Sequence, residues 1–326
     1  MSLAAHREQV WYHDAAIPVS WRLLARLYGS LTALRRHAYA RGWLKSYALG
    51  KPVVVVGNIS VGGTGKTPLT IALVRALAAR GLRAGIVSRG YGGSVKGPVL
   101  LEDDSSPAQV GDEPVLMHAL SGAPVAIGRD RVAAARILVA RSDVDVVLAD
   151  DGLQHYRLRR DIEICVIDGA RRFGNRRQLP AGPLREPLSR LAQVDFRVCN
   201  GGLAHADEIQ LHLRDEGAQR LVDGERVPLT AFAHRRVHAV AGIGNPRRFF
   251  DSLRACRIEV IEHAFADHHC FRETDIAFGD GLPVLMTSKD AVKCRVFAQP
   301  DWWQVAVSAQ LPERFFDALA ARIFAL

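Results

Sequence analysis

Acidic residues are missing from a long stretch of this 326-residue chain. Between Ala15 and Leu101 there is no Asp or Glu, against 13 Lys and Arg. That stretch carries +13 within a net charge of +9, so the residues from 102 onward sum to −3. A region so one-sided argues for an anionic partner: phosphates, a membrane surface or nucleic acid. Cysteine is also scarce. Cys165, Cys199, Cys256, Cys270 and Cys294 are scattered and form no Cys-x-x-Cys pair. A disulfide framework and a structural zinc site are therefore not expected, and a reducing, cytoplasmic setting fits. No apolar run approaches the ~20 residues that cross a bilayer. No basic start, apolar middle and small-residue cleavage site marks a signal peptide. With 48% hydrophobic and 24% charged residues, the chain is globular rather than disordered or fibrous. Its length allows one large domain or two medium ones.

Three regions separate along the chain. In residues 17–49, within an N-terminal region 1–50, Leu23, Leu24, Leu27, Leu31, Leu34 and Ala38 recur at helical spacing. Arg22, Arg26, Arg35, Arg36, Arg41 and Lys45 interrupt the apolar stretches, and Trp21, Tyr28, Tyr39, Trp43 and Tyr47 add amphipathic aromatics. This suits a helix in a membrane interface, with arginines on lipid phosphates. It equally suits an amphipathic helix packed on its own domain with a solvated basic face. Residues 51–205 alternate apolar strand-like runs with helical patterns, which predicts an α/β core with a mostly parallel sheet. The polar, Gly-rich segment at 200–210 marks a boundary. Residues 206–326 alternate again and predict a smaller C-terminal α/β domain, with the active site in the cleft between the two.

The most specific motif is VVVVGNISVGGTGKTPLTIALVRAL, Val53–Leu77. A strand runs into a Gly-rich loop and then into a helix, the context of a phosphate-binding loop. Ser60, Val61, Gly62, Gly63, Thr64, Gly65, Lys66 and Thr67 make the cradle, with Asn58 shaping its entry. Gly62, Gly63 and Gly65 let successive N–H groups turn inward, and the helix N-terminus adds its dipole. Lys66 would reach the β- and γ-phosphates and the Thr67 hydroxyl a Mg²⁺ ion. Ser60 departs from the standard pattern, which has Gly there. Downstream, DVDVVLADDGLQH delivers Asp150-Asp151 from the end of an apolar strand. Such a pair can hold Mg²⁺ beside the loop, or be a plain strand-end turn. Asp112, in GDEP, stands at a helix start, where a carboxylate commonly caps the helix. Arg131 begins another helix in AIGRDR and is a candidate for substrate or γ-phosphate.

VGNISVGGTGKTP, SRGYGG, GDEP, ADDGLQH, LPAGPLREP and FADHHCF occur in that order. Together they resemble the tetraacyldisaccharide 4'-kinases, and the resemblance runs from the basic N-terminal helix to TSKDAVK. It implies a P-loop kinase core with a smaller C-terminal α/β domain. It implies an enzyme, ATP and Mg²⁺, on the cytoplasmic face of the inner membrane. The activity implied is transfer of the γ-phosphate of ATP to the 4'-hydroxyl of an acylated disaccharide 1-phosphate, forming lipid IVA in lipid A biosynthesis. The resemblance turns Asp112 from cap to catalytic base, gives His268 the orienting role, and leaves His269 as its neighbour. It puts Arg89 and Tyr91 near the site, although Arg89 also reads as a solvated loop charge. Glu186 is implied near Mg²⁺ and Arg185 near a phosphate, with Gln154 and His155 touching nucleotide or lipid. No nucleic-acid partner and no obligate protein partner is expected. The competing readings are a membrane-associated P-loop ATPase of the MinD-like class, whose signature lysine is here Val61, and a basic nucleic-acid-binding NTPase.

Overall fold

The computed structural model describes residues 3–13 and 15–326, so residues 1, 2 and 14 of the 1–50 region lie outside the described residues. Two helices come first, α1 (Leu3–Tyr12) and α2 (Val19–Ala40). They behave differently. α1 docks: Val10 and Trp11 are buried, and Trp11 Nε1 donates to Pro180 O at 2.9 Å. α2 has no buried residue along its 22 positions. It touches the body on one side only, where Tyr28 OH donates to Arg185 O at 3.1 Å. Gly29 permits that approach, since a Cβ there would meet Gln178 Oε1 at 2.6 Å. The helix ends earlier than residue 49 because Gly42 takes a left-handed φ of 73° just past it.

The core follows the strand–helix alternation: β1 (Val53–Gly57), α3 (Lys66–Ala78), β2 (Ala84–Ser88), β3 (Val99–Leu100), α4 (Pro107–Val110), α5 (Asp112–Ser121), β4 (Val125–Ile127), α6 (Arg131–Arg141), β5 (Val146–Asp150), β6 (Ile162–Asp168) and β7 (Phe196–Asn200). The helical pattern at residues 186–192 folds as a 3-10 segment, Leu188–Gln193, rather than an α-helix. Pro187 keeps Glu186 extended, so the backbone pairs with Ile59 instead of coiling. The chain continues through β8 (Ile209–Arg220), β9 (Arg226–Val227), β10 (Arg236–Ala241), α7 (Pro246–Ala255), β11 (Glu259–Ala264), α8 (Glu273–Ile276), β12 (Val284–Thr287), α9 (Ser288–Cys294), β13 (Trp302–Gln310) and α10 (Glu313–Phe324).

One sheet runs through both units in the order β3-β4-β2-β5-β1-β6-β7-β8-β13-β12-β10-β11, with β9 beside β8. It is mostly parallel. The boundary expected near residue 205 therefore falls inside a continuous sheet, where β7 pairs with β8. α10 lies in the 206–326 stretch yet packs into the first core, through Phe315, Phe316, Leu319 and Ile323. β1 is buried at all five positions. Val54 and Val56 face one apolar cluster, Val53 and Val55 the other, as strand alternation requires. Because β1 lies between β5 and β6, the carboxyl ends of these strands open at a switch point, where α/β sheets bind ligands.

Candidate active site

The loop leaving β1 is tied down by its carbonyls. Asn58 Nδ2 donates to Gly62 O at 3.4 Å, Arg171 Nη2 to Gly63 O at 3.0 Å and Asn200 Nδ2 to Thr64 O at 2.9 Å. Those oxygens are thus occupied by donors, and an incoming anion meets N–H groups instead. Gly65 has φ 86°, and a Cβ there would collide with the Asn200 amide, so glycine is required twice over. Ser60 and Val61 run beside the 183–185 segment: Val61 N donates to Pro183 O at 2.9 Å and Arg185 N to Ile59 O at 2.7 Å. Arg185 is thereby brought to the loop.

Lys66 begins α3 and pairs with Asp151 at 3.4 Å. Arg185 Nη1 lies 3.1 Å from both oxygens of the same carboxylate. Burial would raise Asp151, but Lys66 and Arg185 outweigh it and hold the acid below its ordinary value. Asp151 also carries a φ of 48°, a left-handed conformation uncommon for a side-chain-bearing residue. Asp150, at the end of β5, is different. Burial, joined by the nearby charges of Glu113 and Asp151, pushes it up to about 7 despite Lys66 and Arg131. Its one side-chain hydrogen bond is from Thr70 Oγ1 at 3.5 Å. Arg131 is buried beside it and pulled down to about 10 by that burial. Thr67 sits in the first turn of α3, half-buried. Among the described residues no group of three or more His, Cys, Asp and Glu could hold a metal alone.

The second acid pair starts α5. Gly111 occupies the cap position, so Asp112 is the first helical residue, and its Oδ1 accepts from Glu113 N at 2.9 Å. Asp112 is 5% exposed. His268 Nδ1, from the loop after β11, lies 3.1 Å from both its oxygens. Burial would raise Asp112, yet the His268 hydrogen bond and the Lys289 and Lys293 charges hold it below its ordinary value. The same hydrogen bond raises His268 against burial and Lys289. The Tyr91 ring lies 4.9 Å from that of His268, and Tyr91 O lies against Gly111. His269 faces away, toward Asp275 at 3.2 Å.

The remaining sequence candidates sort by position. Arg89 is exposed on the loop after β2, close enough to Arg131 to depress it. Glu186 is buried and saturated: Gln154 Nε2 donates to it at 3.1 Å, Tyr156 OH donates to it, and Arg190 Nε lies 3.9 Å away. Gln154 Nε2 also donates to Asn58 O at 3.0 Å, linking Glu186 to the loop entry. His155 is held neutral, lowered to about 4 by burial and by Arg131 and Arg160. Sequence reasoning missed Arg171, Asn200 and Arg248. Arg248 Nη2, at the start of α7, donates to Asn200 Oδ1 at 3.2 Å and so reaches the phosphate loop from the far unit. Asp168 ends β6, which pairs with β1, and Asn200 ends β7, one strand further out, and that placement was the available signal. Lys289 and Lys293 stood inside a quoted motif with no role attached.

The family model for tetraacyldisaccharide-1-P 4'-kinase (LpxK) matches residues 19–324. A tetraacyldisaccharide 4'-kinase of Stenotrophomonas maltophilia (strain R551-3) is 52% identical over 325 residues, covering 96% of this chain and 95% of that protein. One from Xanthomonas campestris pv. campestris (strain 8004) is 49% identical over 332 residues, covering 96% and 94%. Among solved structures, LpxK from Aquifex aeolicus in complex with ATP superposes with a TM-score of 0.78 at 29% identity, covering 93% of this chain and 96% of that one.

Proposed function

From the premise that this chain belongs to the tetraacyldisaccharide-1-phosphate 4'-kinase family, we propose the roles of its site residues, its metal and its membrane attachment. The chain is an ATP-dependent kinase that phosphorylates the 4'-hydroxyl of tetraacyldisaccharide 1-phosphate, forming lipid IVA in lipid A biosynthesis. A MinD-like ATPase is not favoured, since the full-length relatives are kinases.

The observation that carries the mechanism is the Asp112–His268 pair, assembled from two units beside the phosphate loop. The loop from Ser60 to Thr67 cradles the nucleotide phosphates. Lys66 leaves Asp151 for the γ-phosphate, and Arg131, Arg185 and Arg89 add positive charge where it spreads. Asp112 takes the proton of the 4'-hydroxyl. The hydroxyl oxygen bonds to the γ-phosphorus, and the phosphorus–oxygen bond to ADP breaks with its electron pair on ADP. Tyr91 and His268 hold the acceptor side, and Gln154 and Glu186 brace the loop entry. Asp150 fits a divalent cation: a buried carboxylate short of compensating charge, within reach of the Lys66 charge at the start of α3. Mg²⁺ takes one or two carboxylates plus substrate phosphates, so the lack of a three-carboxylate cage suits it. Asp150, with Asp151 and Thr67, would hold Mg²⁺, which neutralises charge on the β- and γ-oxygens when bound.

α2 supports attachment to a membrane surface. Leu23, Leu24, Leu27, Leu31 and Leu34 are each more than half exposed, and Trp43 is 68% exposed. No helix among the described residues is long and apolar enough to cross a membrane. The helix lies in the interface, its arginines on lipid phosphates, on the inner-membrane face that meets ATP. Two assays test these readings. Labelled ATP, Mg²⁺ and the disaccharide 1-phosphate lipid should give a labelled product, lost in Asp112→Ala. Leu23, Leu27 and Leu31 changed to Ser should end sedimentation with anionic vesicles while ATP binding persists. Unchanged sedimentation would return α2 to a packing role.

A further inference from the structure

The motif TSKDAVK folds into a rigid platform. Thr287 caps α9, its Oγ1 accepting from Asp290 N at 3.2 Å. Asp290 is fully buried, takes the Thr287 hydroxyl at 2.6 Å and braces Gly242 N at 2.9 Å. Ser288 Oγ donates to Val305 O at 3.1 Å. This fixes where Lys289 and Lys293, one turn apart, project. Lys293 pairs with Asp290 at 2.8 Å and lies 3.9 Å from Asp112 Oδ2.

Lys289 is more demanding. Its Nζ lies 3.1 Å from Glu113 Oε1, 3.1 Å from Asp267 Oδ1 and 3.4 Å from His268 Nε2. An ammonium has three N–H donors and no acceptor. Three acceptors stand around it, and one of them is the imidazole nitrogen facing away from Asp112. A nitrogen that receives an N–H from lysine carries no proton of its own. The imidazole proton is then on Nδ1, 3.1 Å from both oxygens of Asp112. Asp267 offers Nε2 no better partner: it lies 3.8 Å away and already accepts from Lys289.

We propose that Lys289 is a positioning residue for phosphoryl transfer: by donating to His268 Nε2 it fixes the imidazole as its Nδ1–H form, aims that proton at Asp112, and leaves the Asp112 carboxylate to take the acceptor's proton. This rests on the reading of Asp112 and His268 as the base pair. It decides between the two members, because the imidazole donates and has no free nitrogen for the hydroxyl proton. The groups facing Asp112 are Glu113 on its own helix, Asp267 and His268 on the loop after β11, Lys289 and Lys293 on α9, and Tyr91 through His268. Lys289 also joins Glu113 of the core to Asp267 of the second unit, so the proton direction is set only when the two are in contact.

Nitrogen-15 NMR of histidine-labelled, detergent-solubilised full-length protein reads the tautomer directly, with His268→Asn assigning the signal. Protonated Nδ1 and bare Nε2 are expected at mildly alkaline pH. A protonated Nε2 in the unmodified protein overturns the proposal with no variant needed. In kinetics, Lys289→Met should lower kcat by about 10- to 100-fold, less than the ~10²–10⁴-fold of losing the base itself. It should leave the KM for ATP nearly unchanged and move the acid limb of kcat/KM to higher pH. In a His268→Ala background Lys289→Met should cost almost nothing further, since it acts through the imidazole. Losses that add in that background, or wild-type turnover in Lys289→Met, overturn the proposal. Wild-type turnover in Asp112→Asn would sink the base reading itself, a result Lys289 variants cannot mimic.

Discussion

Two pairs of adjacent acids stand at the mouth of this sheet, equally buried and oppositely tuned. Asp150 and Asp112 are 2% and 5% exposed, yet the first is pushed up to about 7 and the second held below its ordinary value. Burial alone raises any carboxylate, so the difference lies in which cations arrive. Asp151 pairs directly with Lys66 and Arg185, leaving Asp150 only the more distant charges of Lys66 and Arg131 against burial and the repulsion of two acids. Asp112 receives His268, Lys289 and Lys293, all from the second unit. A carboxylate short of positive charge suits a site that will take a cation. A compensated one stays ionised at neutral pH and suits a base. The core alone makes the first, and both units are needed for the second.

The largest expected effect tests the second pair. Asp112→Asn keeps the shape and removes the base, so kcat should fall by about 10²–10⁴-fold while ATP affinity stays within a few-fold. Steady-state kinetics with nucleotide titration check this, and a loss confined to ATP affinity would erase the contrast. Lys66→Ala should follow, costing about 10²-fold or more in kcat because charge at the transition state is lost. The same variant frees Asp151 of its lysine, so a stable protein with near-normal turnover would show that the loop does not hold the transferring phosphate.

Asp150→Asn separates the pairs by sign. It should raise the Mg²⁺ concentration for half-maximal rate about tenfold or more. Its folded value is above its ordinary one, so the wild-type acid loses stability as pH rises from 3.8 towards about 7. Melting of the metal-free variant should therefore occur at higher temperature than wild type above that window and converge with it below. Asp112 is depressed, so its contribution is present above its ordinary value and lost as pH falls; Asp112→Asn should melt lower at neutral pH. Scanning calorimetry across pH reads both, and equal signs would collapse the comparison. The smallest effect concerns the far unit's reach to the loop. Arg248→Ala should raise the KM for ATP about fivefold, near the ~1 kcal/mol of one hydrogen bond, with kcat little changed.

Much of this was legible in the residue order. Val53–Gly57 followed by a glycine loop and Lys66-Thr67 gives a strand, a turn and a helix start, because apolar runs, left-handed glycines and helix periodicity act over a few residues. Asp150-Asp151 at the end of β5 was legible for the same reason, and the acid-free, arginine-rich stretch foreshadowed an exposed amphipathic α2. The matching of six motifs in order supplied Asp112 and His268, which spacing alone left as a cap and a loop residue. Tertiary structure decided the rest. Glu186 turned into an extended, saturated partner of Ile59 and Tyr156, since Pro187 and sheet-like pairing overrode its helical pattern. α10 crossed back to the first core, where Phe315, Phe316, Leu319, Ala320 and Ile323 are buried. Asn200, Arg171, Arg248 and Lys289 act through partners between 21 and 176 positions away in the chain. Local propensity ends within a turn or two, whereas charge compensation and hydrogen-bond direction depend on what folding brings within about 3 Å.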